Sequence, residues 1–481
     1  MKKPGSPIRG SLFLTGGRLV SSLSGLVLVW LIGKRGPADL GAFRTIFSFF
    51  LITELFPLLG LQIYLMREIA LHSSQTRKYL LHSVAFALIV SVFVAGVLLV
   101  LSRWGGYSEI VSKGLVVITG GMPATALYVC AVPILIGLEK GATIGLLQAV
   151  ETLVRTLLGA AVVLAGGSIL GAIASLVAVR WLMIFFYWKS IRPPPLSGGW
   201  KFEAAFFCNL LNQVPVFAGI TVFAAVTRFA APLMLPWMLN DAAAGYFGAS
   251  YVFVDIALLL PTALIANLMP RLSVLARKSI GNLSRAAQEG IKLMALTMLP
   301  LAGLITLLAQ HILPIVFRNP DVYTHATLLL RIGIWICFLM SLDQVLSSTI
   351  VACGKQSLDL KSVAIGAIAT LAALYGAISV YGASGAPLGL VAGYSIQLIT
   401  RFFLFARHVP GLNPLPLIWR PVIATATMMT TMIWIPAGYW LLGAPLGLGV
   451  YLGVLGILGA LRASECEGIG LLLRTGKTNL S

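Results

Sequence analysis

Gly33-Lys34-Arg35-Gly36-Pro37-Ala38-Asp39-Leu40-Gly41-Ala42-Phe43 opens an apolar run that is broken by Glu54 and Pro57 and closes on Arg67-Glu68. The same punctuation returns 204 positions on: Gly41 maps to Gly245, Phe43 to Phe247, Pro57 to Pro261 and Arg67 to Arg271. A glycine-x-phenylalanine opening, a proline in mid-run and a basic stop at one common offset read as an internal duplication. Duplicated halves in a chain of many apolar segments are the arrangement of transporters whose site lies between the halves.

The rest of the chain fits a membrane setting. Of 481 residues, 58% are hydrophobic and 10% charged, with a mean hydropathy of +0.95. A soluble domain carries about 25% charged residues, so this chain has too little polar surface to cover a soluble body. Apolar runs of about 20 residues recur from end to end, each long enough to cross the hydrocarbon as a helix. Lipid satisfies no backbone group, so these runs are helical, and the short alternating segments of a barrel are not seen. The expected class is an all-α polytopic membrane protein with about 14 transmembrane helices. Residues 1–190 form one six-helix lobe, 191–203 a cytoplasmic linker, 204–410 a second six-helix lobe, and 411–481 two extra helices with a cytoplasmic tail. The linker holds Pro193-Pro194-Pro195, through which no helix runs. Small residues at Gly449 and Gly453 suit close helix packing within the chain or a dimer.

The net charge of +19 reads as positive-inside bias and attraction to anionic headgroups, not as a nucleic-acid footprint. Most Lys and Arg fall on one side of the segments, including Lys2, Lys3, Arg67, Arg77, Lys78, Arg271 and Arg407; Lys34, Arg35, Arg103 and Lys113 are among the few opposite. Both termini are therefore expected in the cytoplasm. The first apolar run, 11–33, is too long for a signal-peptide core and stays as a helix. The five cysteines make no CxxC pair and read as packing residues. Arg474-Thr475-Gly476-Lys477-Thr478 imitates a phosphate loop, but Leu471 stands where its first glycine belongs. No loop is large enough for the acid and base groups of a glycan transferase, so no catalytic residue, cofactor or metal is expected.

An ionisable side chain at bilayer depth costs about 2.5–3.5 kcal/mol and needs a partner or a wet cavity. Arg18 reaches either the headgroups by snorkelling or a cavity beside Gly16-Gly17. Glu151 and Arg155 are spaced for a pair on one helix face, or Arg155 is a cavity cation. Arg180 has no acid in its own segment and is the leading cavity candidate, while Arg228 is near enough to a segment end to meet interfacial water. Glu54 and Asp255 fall about a turn apart once the 204 offset is applied. Together with Asp343 they are either salt-bridge partners or a site for a coupling proton or sodium ion. Pro57 and Pro261 interrupt the hydrogen-bond ladder and read as gating kinks or as fixed curvature.

Gly36-Pro37-Ala38-Asp39-Leu40-Gly41-Ala42-Phe43 resembles the first external loop of polysaccharide-type flippases. Arg67-Glu68-Ile69-Ala70 and Leu260-Pro261-Thr262-Ala263 with Met269-Pro270-Arg271-Leu272-Ser273 resemble the ends of their second and eighth helices. These belong to the multidrug, oligosaccharidyl-lipid and polysaccharide exporter superfamily, of MATE-like architecture. The resemblance covers roughly residues 10 to 410, and departs at Thr227-Arg228 and Asn240-Asp241-Ala242. It implies two lobes in a V around a cavity, and flipping of a polyprenyl-diphosphate-linked oligosaccharide across the bacterial inner membrane. It also implies cavity cations for the diphosphate, here Arg18, Arg180 and Arg228. Membrane lipids and a polysaccharide polymerase machinery are the expected partners. A cation-coupled drug or metabolite antiporter of the same superfamily is the alternative, and an integral-membrane glycan ligase or polymerase a further one.

Overall fold

The computed structural model describes residues 24–191, 202–212, 214–406, 415–435 and 439–460. Arg18, both termini, Cys466 and most of the expected linker lie outside them. All elements are helical: α1 Ser24–Gly33, α2 Pro37–Leu55, α3 Gln62–Leu71, α4 Thr76–Trp104, α5 Glu109–Thr119 and α6 Met122–Gly137. These are followed by α7 Gly141–Leu164, α8 Ile169–Ser190, α9 Ala204–Asn212, α10 Val214–Met238, α11 Asp241–Ala257, α12 Leu259–Lys278 and α13 Ile280–Val316. The last are α14 Pro320–Gly333, α15 Trp335–Ala352, α16 Gln356–Tyr381, α17 Gly385–Ala406, α18 Leu415–Ile433 and α19 Trp440–Ile457.

The chain is thus an all-α multi-pass membrane protein. Among the described residues eight helices are long and apolar enough to cross a bilayer, or nine if α5 and α6, bent by 57° at their junction, make one span. Helices also cover the other expected segments, but several of these are short or interrupted. The second segment stops at Pro57: α2 ends at Leu55, and six residues of turn follow before α3. Leu59 (φ 43°) and Gly60 (φ 80°) are left-handed there, a conformation that costs a leucine roughly 1–2 kcal/mol. The duplicate proline marks a milder fault. Only Leu258 separates α11 from α12, and Pro261 sits in the first turn of α12, where its missing N–H is no loss.

The chain packs as two units, Met1–Gly248 and Ala249–Ser481. In the first, the core gathers Leu58, Leu61, Leu65 and Ile69 against Leu80, Ile134, Val179 and Tyr187. In the second, Leu272, Ala287, Val345 and Phe405 form one core, and Met428 and Tyr451 of α18 and α19 form another against α13.

The duplicated glycines meet each other inside the first unit. A β-carbon on Gly41 would run into the carbonyl oxygen of Asp241 and stand 2.7 Å from the amide nitrogen of Gly245. One on Gly245 would run into the carbonyl of Pro37 and stand 3.1 Å from the amide nitrogen of Gly41. Pro37 and Asp241 are themselves 204 apart. The two copies of the motif therefore cross backbone to backbone in a reciprocal contact, the form a local two-fold relation takes.

A second close crossing joins α16 and α17. Gly385, Gly389 and Gly393 lie on Ala377, Leu374 and Thr370, and a β-carbon on Gly389 would stand 2.7 Å from the Leu374 Cα. Small residues at four-residue spacing let these backbones touch. At Gly449 and Gly453 of α19, read as packing within the chain or in a dimer, a β-carbon would meet no atom of the described residues within 4 Å. Among the described residues close packing is therefore not made there, because α19 turns other residues, such as Tyr451 and Leu455, inward.

Candidate functional site

Arg180 of α8 is 2% exposed. Its Nε donates to Glu151 Oε1 of α7 at 2.7 Å, and its Nη2 to Glu54 Oε1 in the last turn of α2, also at 2.7 Å. Tyr187, two turns further along α8, donates to the other oxygen of Glu151 at 2.9 Å. The guanidinium lies 3.8 Å from the Tyr128 ring centre and 5.4 Å from that of Phe50, and Gln148 holds the Tyr128 hydroxyl at 3.1 Å. One guanidinium thus brackets two carboxylates from two other helices, with aromatic faces closing it off. A buried charge is tolerable on these terms, paired and hydrogen-bonded.

The second unit repeats the device with different residues. Arg401 of α17, also 2% exposed, pairs through Nη1 with Asp343 of α15 and through Nη2 with Asp359 of α16 at 2.9 Å. Its Nε donates to Ser362 at 3.1 Å. Gln397, one turn back on α17, donates to Asp343 at 2.8 Å, and Ser347 to Asp359 at 2.9 Å. In both units an arginine on one helix bridges the helix before it in sequence and a third.

These placements revise the expected roles. Arg180 does not face open space; it is sealed between Glu54 and Glu151, since an unpaired guanidinium at that depth is costly. Glu151 pairs across helices and not with Arg155. Arg155 is half-buried on α7, its guanidinium 5.9 and 5.8 Å from the ring centres of Phe47 and Phe50, and no ion pair to a described carboxylate is formed. The rings of Phe43, Phe47 and Phe50 stack in sequence along α2, so two arginines lie over one aromatic shelf. Arg228 is exposed beside Phe229. Asp255 is half-buried near Cys337.

Arg401, Asp359, Gln397, Tyr128 and Tyr187 were not foreseen. Arg401 and Asp359 are each within two turns of a helix end, where a charge reads as a loop residue. The signal available was Gln397 and Arg401 at i, i+4 on the helix that also carries Gly385, Gly389 and Gly393.

Two arginines, each bracketed by carboxylates, thus sit inside a bundle of apolar helices, and that fold is shared with solved transporters of the multidrug, oligosaccharidyl-lipid and polysaccharide exporter superfamily. A family model described as MatE matches residues 274–376. Among solved structures, the chain is similar to the lipid II flippase MurJ in an inward closed conformation, with TM-score 0.76 and 14% identity over 94% of this chain and 100% of that one. It is similar to an inward-facing multidrug resistance MATE family transporter, with TM-score 0.67 and 15% identity over 82% of this chain and 95% of that one. A third likeness is to a transporter of the same superfamily from Pyrococcus furiosus, described as having a binding pocket of reverse polarity. Its TM-score is 0.63, with 15% identity over 85% of this chain and 97% of that one. No curated protein matches the sequence.

Proposed function

We propose that the protein is a flippase, not an enzyme. It carries a polyprenyl-diphosphate-linked oligosaccharide, the repeat unit of a cell-surface polysaccharide, from the cytoplasmic to the external leaflet by alternating access. The observation that carries this reading is Arg155: a half-buried guanidinium over the Phe47 and Phe50 rings with no described carboxylate on it. A diphosphate brings about two negative charges that hydrocarbon cannot solvate, and a guanidinium stays charged and grips phosphate oxygens in pairs. The acids support the same substrate sign. Glu54, Glu151, Asp343 and Asp359 are all held by arginines, which leaves them poor partners for the cationic substrate of an antiporter. The lipid tail stays in the bilayer while the head group crosses.

The setting proposed with it is the bacterial cytoplasmic membrane, both termini inside, alongside a polysaccharide polymerase. Arg18 and Arg228 remain proposed as further contacts for the diphosphate, and Pro57 and Pro261 as the points where helices flex. Coupling to a proton or to sodium, or to neither, is told apart by whether an imposed gradient of either ion speeds translocation in vesicles.

Translocation of a fluorescent polyprenyl-diphosphate sugar in proteoliposomes tests the reading. Arg155→Ala is expected to slow it about 10- to 100-fold, the worth of one charged hydrogen-bonding pair at roughly 1.5–3 kcal/mol. Arg155→Lys recovers part, since the charge returns without the fork. Wild-type rates in Arg155→Ala would remove the residue from the substrate path.

A further inference from the structure

We propose that a cleft between α13–α14 and α18–α19, wholly within the second unit, binds the phosphate group of a membrane lipid. The cleft measures about 460 Å³, and its lining includes Gln310, His311, Arg331, Trp434 and Trp440 together with the apolar Leu308 and Met432. Arg331 Nη2 donates to Gln310 Oε1 at 2.8 Å, and Gln310 Nε2 lies 3.3 Å from His311 Nε2. His311 in turn stacks flat on Trp440, with ring centres 5.2 Å apart and planes within 2°. The amide thus spends its acceptor on Arg331. The polar groups left unspent on these lining residues are donors: the other guanidinium N–H groups, the second imidazole nitrogen and the indole N–H groups.

No carboxylate is among the lining residues, and Arg331 forms no ion pair with a described acid. A guanidinium set in a membrane helix without an acid calls for an anion. The depth selects which kind. Gln310 lies six residues before the end of α13, about 9 Å along the axis at 1.5 Å per residue. Trp434, 88% exposed, and Tyr439, 62% exposed, mark the headgroup level at which such rings collect. An anion at that level, among apolar lining residues, is a lipid phosphate with its chains running down beside Leu307 and Met432. The site is independent of Arg155 and of the Arg180 bracket, so the proposal stands or falls apart from the transport reading.

Titration of the purified full chain in detergent with phosphatidylglycerol, followed by native mass spectrometry, tests it. One lipid is expected to be retained by the wild type. Arg331→Gln is expected to weaken retention about tenfold or more, the loss of one charge-assisted contact. Trp434→Ala, at an exposed position that leaves folding intact, weakens it several-fold. Arg103→Gln, an exposed cation on α4, leaves it unchanged. Equal retention in wild type, Arg331→Gln and Trp434→Ala would overturn the site, as would an equal loss in Arg103→Gln. Displacement of the lipid by millimolar inorganic phosphate would keep an anion site but overturn the lipid as its occupant.

Discussion

Arg180→Ala leaves the buried Glu151 beside the partly exposed Glu54 with no counter-charge between them, and is expected to cost about 3 kcal/mol, the lower end for breaking one partner of a buried bridge. Glu151 cannot escape by turning outward, because Tyr187 pins its second oxygen at 2.9 Å. The measurement is the unfolding midpoint of the protein in detergent, with the fraction eluting monodisperse after mild heating. Arg180→Met combined with Glu54→Gln and Glu151→Gln should recover most of the loss, since replacing every member of a buried ionic set by neutral groups of similar volume is often close to neutral. A wild-type midpoint for Arg180→Ala alone would mean that the bracket carries no structural load. Translocation measured on the triple variant then separates a structural role for Arg180 from a part in substrate handling.

Gly41→Leu should be nearly as damaging, for a reason of space and not of charge. A side chain there must occupy the position of the Asp241 carbonyl, and backbone cannot move aside as a side-chain tip can. Overpacking of this kind costs about 1–3 kcal/mol and more where the neighbour is rigid. The contact is reciprocal, so Gly245→Leu should cost a similar amount. The double variant should cost much less than the two together, because helices already parted by the first leucine accept the second; contacting sites fail additivity in this way. Gly449→Leu and Gly453→Leu are the controls, since a β-carbon at either meets no atom of the described residues within 4 Å, and should leave the midpoint where it is. Additive losses at Gly41 and Gly245 would refute the reciprocal crossing.

The helical, membrane-spanning character was legible because it rests on composition, which no packing detail can override. The glycine and proline punctuation was legible because those residues make backbone demands that are independent of neighbours, and the close contact of Gly41 with Gly245 and the helix breaks near Pro57 and Pro261 follow from the same property. Pairing between helices was not legible. Glu151 has an arginine four residues on, and the local pair was the natural reading. The structure instead turns Arg155 onto the Phe47–Phe50 shelf and brings Arg180 from the next helix, a choice set by which faces of α2, α7 and α8 meet. Arg401 was not foreseen for a related reason: its place near a helix end hid that its side chain reaches Asp343 of α15. Periodicity says which residues share a face, not which face opposes it.

Arg180 and Arg401 also determine how these interiors respond to the bathing solution. Surface ion pairs fade as added salt screens them within a Debye length of about 8 Å at physiological ionic strength. Here the compensating cation is covalently part of the chain and 2% exposed, so no mobile ion competes for it. The two brackets should hold unchanged from dilute buffer to molar potassium chloride, and any salt dependence of the protein's behaviour then originates at its wetted faces.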